Sequence, residues 1–139
     1  TMIRKRLNEL AAQFDIQEIG YDPYNAVSLL TDLDNDGLKM KEHRQGFISM
    51  NAPTKEFERL VISRRIRHAN HEVMNWMVSN AEAVFDAAGC VKLTKGDRKT
   101  SRYVIDGVIS AIMALSQYGQ HGPIEAQGTS VFAVNPWGE

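Results

Sequence analysis

The sequence predicts an α/β fold in which helices pack on a small sheet, and three observations carry that prediction. Apolar residues recur at three- and four-residue spacing in several segments, short β-prone runs lie between them, and turn residues punctuate the joins. At 139 residues the chain suits one compact domain whose core needs no staples.

In residues 2–14, Ile3, Leu7, Leu10, Ala11 and Phe14 fall on one stripe, while Arg4, Lys5, Arg6, Asn8 and Glu9 fall elsewhere. That pattern predicts an amphipathic first helix. Ile16, Glu18 and Ile19 lead into Gly20 and Tyr21 as a short strand halted by Pro23, since proline cannot continue a ladder. Asp22 therefore stands at a strand's C-terminal end. From Tyr24, the set Ala26, Val27, Leu29, Leu30 and Leu33 restores helical spacing until Asn35, Asp36 and Gly37 supply a stop. A second strand over about 39–43 follows. Pro53 and Thr54 predict the start of another helix, with Phe57, Leu60 and Val61 inward and Arg64, Arg65 and Arg67 at a basic C-terminal end. Val73, Met74 and Trp76 mark a short helix over 70–77, and Ala83 to Phe85, the Gly89 turn and residues 91–93 predict a hairpin. Ile105, Val108, Ile109, Ile112, Met113 and Leu115 make 98–117 the strongest helix. Past Tyr118 periodicity stops, so 2–118 reads as the domain and 119–139 as a tail or interaction arm.

The 16 basic and 17 acidic side chains nearly cancel, so any surface that attracts nucleic acid must be local. The single cysteine, Cys90, cannot form an internal disulfide, and no charged-then-apolar leader opens the chain. Both point to a reducing cytoplasm. The most apolar stretch, 104–115, is broken by Asp106 and is far shorter than the ~20 residues that span a bilayer, so no membrane role is expected.

Several motifs have plain structural readings. Asp32, Asp34, Asp36 and Gly37 copy the first half of a calcium loop, but His43 stands where the bidentate glutamate would be, and a polar helix exit explains the cluster better. His68, His71 and Cys90 lack a fourth zinc ligand at suitable spacing. No phosphate-binding loop occurs, so ATP hydrolysis has no machinery here. Two carboxylates stand apart by context. Asp22 lies where a strand end meets a helix start, the place where open α/β sheets put ligand-binding groups. Asp106 interrupts an apolar helix, where a carboxylate is costly unless it is paired, binds a metal or reaches water.

Tyr21-Asp22-Pro23-Tyr24-Asn25-Ala26, followed by Ile105-Asp106-Gly107-Val108-Ile109-Ser110-Ala111, resembles the terminase large subunit family of tailed phages. Gln45-Gly46, Ser49 and Pro53, then His68, Asn70, Trp76, Gly89 and Lys95, extend the resemblance over residues 3–118. The resemblance implies a ribonuclease H-like nuclease domain that cuts phage DNA in the host cytoplasm with two divalent ions, magnesium or manganese. Asp22 would be its second metal-binding acid and Asp106 its third. The first acid of the family pattern, and the strand that carries it, have no counterpart here, nor does the ATPase motor, which implies an impaired fragment of a phage or prophage protein. Arg64, Arg65, Arg67, Lys95, Arg98, Lys99 and Arg102 are the candidate contacts to double-stranded DNA. Other terminase or portal components are candidate partners. A non-catalytic DNA-binding or packaging module, or a degraded prophage remnant, is the alternative. Strands missing from the sheet would leave an edge and an apolar face open, which predicts homo-oligomers.

Overall fold

The computed structural model describes residues 1–24, 27–96 and 103–121. Its elements are α1 (Met2–Gln13), β1 (Ile19–Tyr21), α2 (Val27–Asn35), β2 (Met40–Glu42), α3 (Phe47–Ile62), α4 (Glu72–Asn80), β3 (Glu82–Phe85), β4 (Val91–Thr94) and α5 (Asp106–His121).

The acidic run at the end of α2 has a structural task. Gly37 takes φ of 85°, its N–H donates to Asp34 O, and Leu38 N–H reaches back to Leu33 O, closing the helix. Asp36 then receives both Nε and Nη2 of Arg4 at 2.6 Å, and Asn8 Nδ2 at 2.7 Å. That bidentate contact fastens α1 to α2. His71 also has a structural role: its Nδ1 accepts from Met74 N–H at 3.4 Å as the N-cap of α4.

The strands form two separate two-stranded sheets rather than one small sheet. β1 and β2 run parallel, with Ile19 opposite Met40 and Tyr21 opposite Glu42, and α2 makes the crossover between them. β3 and β4 are the expected hairpin, with Glu82 opposite Thr94 and Phe85 opposite Val91. Asp86 Oδ1 accepts from Ala88 N–H and Cys90 N–H in the turn, where Gly89 takes φ of 78°.

Two helix starts differ from the sequence expectation. α3 begins at Phe47 after Gly46, and Pro53 sits inside it, buried, rather than at its first position. Phe47, Met50, Thr54 and Phe57 form an inward stripe through both halves of α3, so its burial outweighs the bond that Pro53 cannot donate, whereas Val61, expected to face inward, is 50% exposed. At the other end, residues 103–105 are not helical and α5 begins at Asp106. The buried side chain of Asn80 donates to Val104 O at 3.3 Å, which holds that approach extended. α5 then continues to His121, and residues 122–139 lie outside the described residues.

Met50 of α3 and Val108, Ile112 and Met113 of α5 form the core, with Phe57, Met74, Leu93, Ile105 and Ile109 packed on it. α5 is thus the central helix, touching α3, α4 and β1. Gly107 admits α4: a Cβ there would meet Met77 Sδ at 2.6 Å. Among the described residues, no helix is long and apolar enough to cross a membrane.

Candidate active site

Asp22 follows β1 directly, and its Oδ1 accepts from Tyr24 N–H at 2.9 Å, an Asx turn that bends the chain away from the strand. Each carboxylate oxygen has two lone pairs, so that turn leaves ligand capacity on the side chain. Asp106 is exposed in the first turn of α5. Its position there, rather than inside a longer helix, removes the burial cost that the sequence implied.

The direction in which α5 crosses β1 relates the two carboxylates. His121, near the end of α5, is paired with Glu18 just before β1, and Gln117 packs on Gly20, whose missing Cβ would meet Gln117 Cγ at 3.3 Å. As β1 advances from 18 toward 22, α5 therefore retreats from 121 toward 106. Gln117 to Asp106 is about 16 Å along the helix. Gly20 to Asp22 is about 7 Å along the strand. Asp22 thus points toward the Asp106 end of α5 and stops about 10 Å short of it along that direction.

The loop between β2 and α3 spans this gap. His43 N–H donates to Tyr21 O at 2.8 Å, so His43 lies beside the end of β1 from which Asp22 emerges. Two residues later, Gln45 lines a cleft together with Lys95, Tyr103, Asp106 and Ser110. A second cleft opens beside it, lined by Glu42, His43, Arg44, Ser49, Ser116 and Gln120. Sequence reasoning missed His43, Arg44, Ser116 and Gln120 as site residues. Gln45-Gly46 and Ser49 entered only through a resemblance. The signal available was Gly46 directly ahead of the apolar stripe of α3.

Charge is arranged locally. Arg44 Nε donates to Glu42 Oε1 at 2.8 Å, and the carboxylate raises the arginine above its already high pKa. The nearly buried Glu18 is held below the usual carboxylate range, first by its hydrogen bond to His121 and then by nearby Lys39 and Lys41.

Of the expected DNA contacts, Lys95 shares the cleft of Asp106. Arg64, Arg65 and Arg67 are exposed beyond the far end of α3, about 24 Å from its start. Arg98, Lys99 and Arg102 lie outside the described residues. Among the described residues there is no group of three or more His, Cys, Asp or Glu side chains placed to hold a metal. Asp22 and Asp106 each offer hard oxygen donors, the kind that magnesium or manganese accepts one or two at a time while keeping several waters.

Comparisons with known proteins agree on one family. A family model described as the terminase large subunit endonuclease domain matches residues 2–122. The large terminase subunit of Enterobacteria phage HK97 is 33% identical over 122 residues, covering 86% of this chain and 23% of that protein. The crystal structure of the HK97 large terminase superposes with a TM-score of 0.72 at 28% identity, covering 84% of this chain and 24% of the other. The chain spans about a quarter of the length of these relatives.

Proposed function

The chain belongs to the terminase large subunit endonuclease-domain family, with its ribonuclease H-like α/β fold, and from that premise we propose that it is part of a metal-dependent endonuclease acting on phage DNA during packaging. The carrying observation is the antiparallel passage of α5 over β1, which turns Asp22 toward the Asp106 end of that helix. In this reading Asp22 and Asp106 hold a hydrated magnesium or manganese ion. Such an ion, when bound, supplies an activated water and neutralises charge at the scissile phosphate.

The remaining roles belong to the chain itself. The Asx turn at Asp22 fixes its backbone where the strand ends. The first turn of α5 fixes Asp106, with Gly107 against Met77 setting its height above α4. Lys95, exposed in the same cleft, attracts a phosphate of the duplex. Two carboxylates, with no third beside them among the described residues, give weak metal affinity and a loosely defined geometry, so slow cleavage by this chain alone is expected.

Manganese titrated into isotope-labelled protein tests the reading through paramagnetic broadening. Signals near Asp22 and Asp106 should broaden, and Asp22→Asn or Asp106→Asn should abolish the effect. Tight binding that survives in both variants would move the metal elsewhere.

A second reading, a non-catalytic DNA-binding or packaging module, draws on the exposed Arg64, Arg65 and Arg67 beyond α3. Salt-sensitive duplex binding unchanged in Asp22→Asn and Asp106→Asn, without detectable metal binding, would favour it.

A further inference from the structure

The cleft beside Asp22 has the makings of an anion seat. It is built at the start of α3, a 16-residue helix whose N-cap, Gly46, offers no side-chain acceptor and whose first turn carries no acidic residue. A helix start of this kind directs unsatisfied N–H groups and a partial positive charge outward. Ser49, in that first turn, lines the cleft with Arg44 of the preceding loop. Lys92 adds a second cation at the same end of α3, with Nζ 3.5 Å from Gln45 O and 4.7 Å from the centre of the Phe47 ring.

Buried polar groups give an independent indication. His43 lines the cleft, is only 6% exposed, and its Nδ1 has no hydrogen-bond partner. Gln117 of α5, 5% exposed and also without a partner at Nε2 and Oε1, lies behind that wall against Gly20. An unpaired buried polar atom is rare and costly, so its retention on His43, in the cleft wall, marks a place built for a polar ligand. Glu42, a carboxylate in the wall, is engaged by Arg44 Nε, a contact that uses one of the five N–H donors of the guanidinium. At about 320 Å³ the cleft has room for a phosphate group with its waters, at ~30 Å³ per water.

We propose that the first turn of α3, with Arg44, Ser49 and His43, seats a backbone phosphate of the DNA strand whose neighbouring phosphodiester lies at Asp22. The inference rests on the nuclease reading above and adds to it a positioning site. Because β2 ends beside β1, the seat and Asp22 stand at the same end of one sheet, and a phosphate held in the first would fix the register of the strand over the second.

Ser49→Asp is the decisive variant. A carboxylate in the first turn suits the helix dipole, so the fold is kept, yet it occupies or repels the seat. Arg44→Gln, at a side chain 75% exposed, is the second variant. Amide shifts at Phe47, Ile48 and Ser49 should follow titration with inorganic phosphate and with a short duplex, and should vanish in Ser49→Asp. Both variants should weaken duplex binding by about three- to tenfold, and Arg44→Gln should lower the salt slope by about one. The seat is overturned if these amides do not respond, or if both variants bind duplex as the parent does. Shifts with inorganic phosphate but none with duplex also overturn it, because the site is then one for free anions. Manganese broadening at Asp22 separates the two ideas: its loss with phosphate shifts intact sinks the nuclease reading alone, and the converse sinks the seat alone.

Discussion

Replacing Gly107 by alanine should destabilise the protein, although alanine is the better helix former. The added Cβ would stand 2.6 Å from Met77 Sδ, 3.6 Å from Met77 Cε and 3.7 Å from Met74 Cε. Favourable contacts lie near 3.5–4.0 Å, so the first of these is an overlap of about 1 Å. Met77 must therefore leave its position, and with it the contact of Gly107 N–H to its sulfur at 3.1 Å. Met77 is half-buried and its flexible end can give way, so the cost falls toward the low end of the about 1–3 kcal/mol of overpacking, to which the lost N–H contact adds. The opposing gain in helix propensity is at most about 1 kcal/mol, and less in a first turn. The net loss should be about 1 kcal/mol, read as a melting temperature lower by roughly 2–5 °C. A double-mutant cycle with Met77→Ala supplies the control. In that background the overlap is gone, so the added methyl should be neutral or stabilising, with a coupling of about 1–3 kcal/mol. Chemical denaturation followed by circular dichroism measures all four corners. Equal stability of Gly107→Ala and the parent, with no coupling to Met77, would refute the reasoning.

Other expected outcomes are simpler. Asp86→Ala removes an acceptor shared by Ala88 N–H and Cys90 N–H and should cost about 1–2 kcal/mol, seen as a lower urea midpoint. Arg4 holds Asp36 well below its unperturbed value of 3.8, so the contact's contribution is complete above that value and lost as pH falls through the depressed folded one. Arg4→Gln should therefore lower stability near neutrality and flatten the decline in acid, measured as denaturation midpoints against pH. Among the described residues β1 and β2 each pair on one side only, and Ile62, Val73, Trp76 and Phe85 are exposed, so light scattering at micromolar concentration should find self-association. A strict monomer would defeat that expectation.

Local chemistry was legible in the sequence where it decides structure locally. The stripe Ile3, Leu7, Leu10 announces α1, the Asn35 to Gly37 run announces the end of α2, and the hairpin follows from β-prone runs about Gly89. Pro53 misled because proline is commonest at a helix start, whereas here the inward stripe from Phe47 to Phe57 settles where α3 lies. The start of α5 was hidden for another reason: Asn80 binds Val104 O across 24 positions of sequence, and no local pattern reports such a bond. Pairing was hidden too, since which strands share a sheet depends on how the helices stack.

The candidate site divides along the same line. Asp22 can be found from sequence because a strand end followed by proline is a local event, and Asp106 because a carboxylate amid apolar residues is a local anomaly. The polar groups between them cannot. His43 gains its place from a parallel ladder to Tyr21, and Ser116 and Gln120 gain theirs from the slant of α5 across that ladder. Gly20 permits the slant, since a side chain there would press on Gln117. A methyl at Gly20 would therefore press on Gln117 and, through it, on the helix that carries Ser116 and Gln120. The two expected site residues mark the ends of the site, and the packing of one helix on one glycine determines what lies between them.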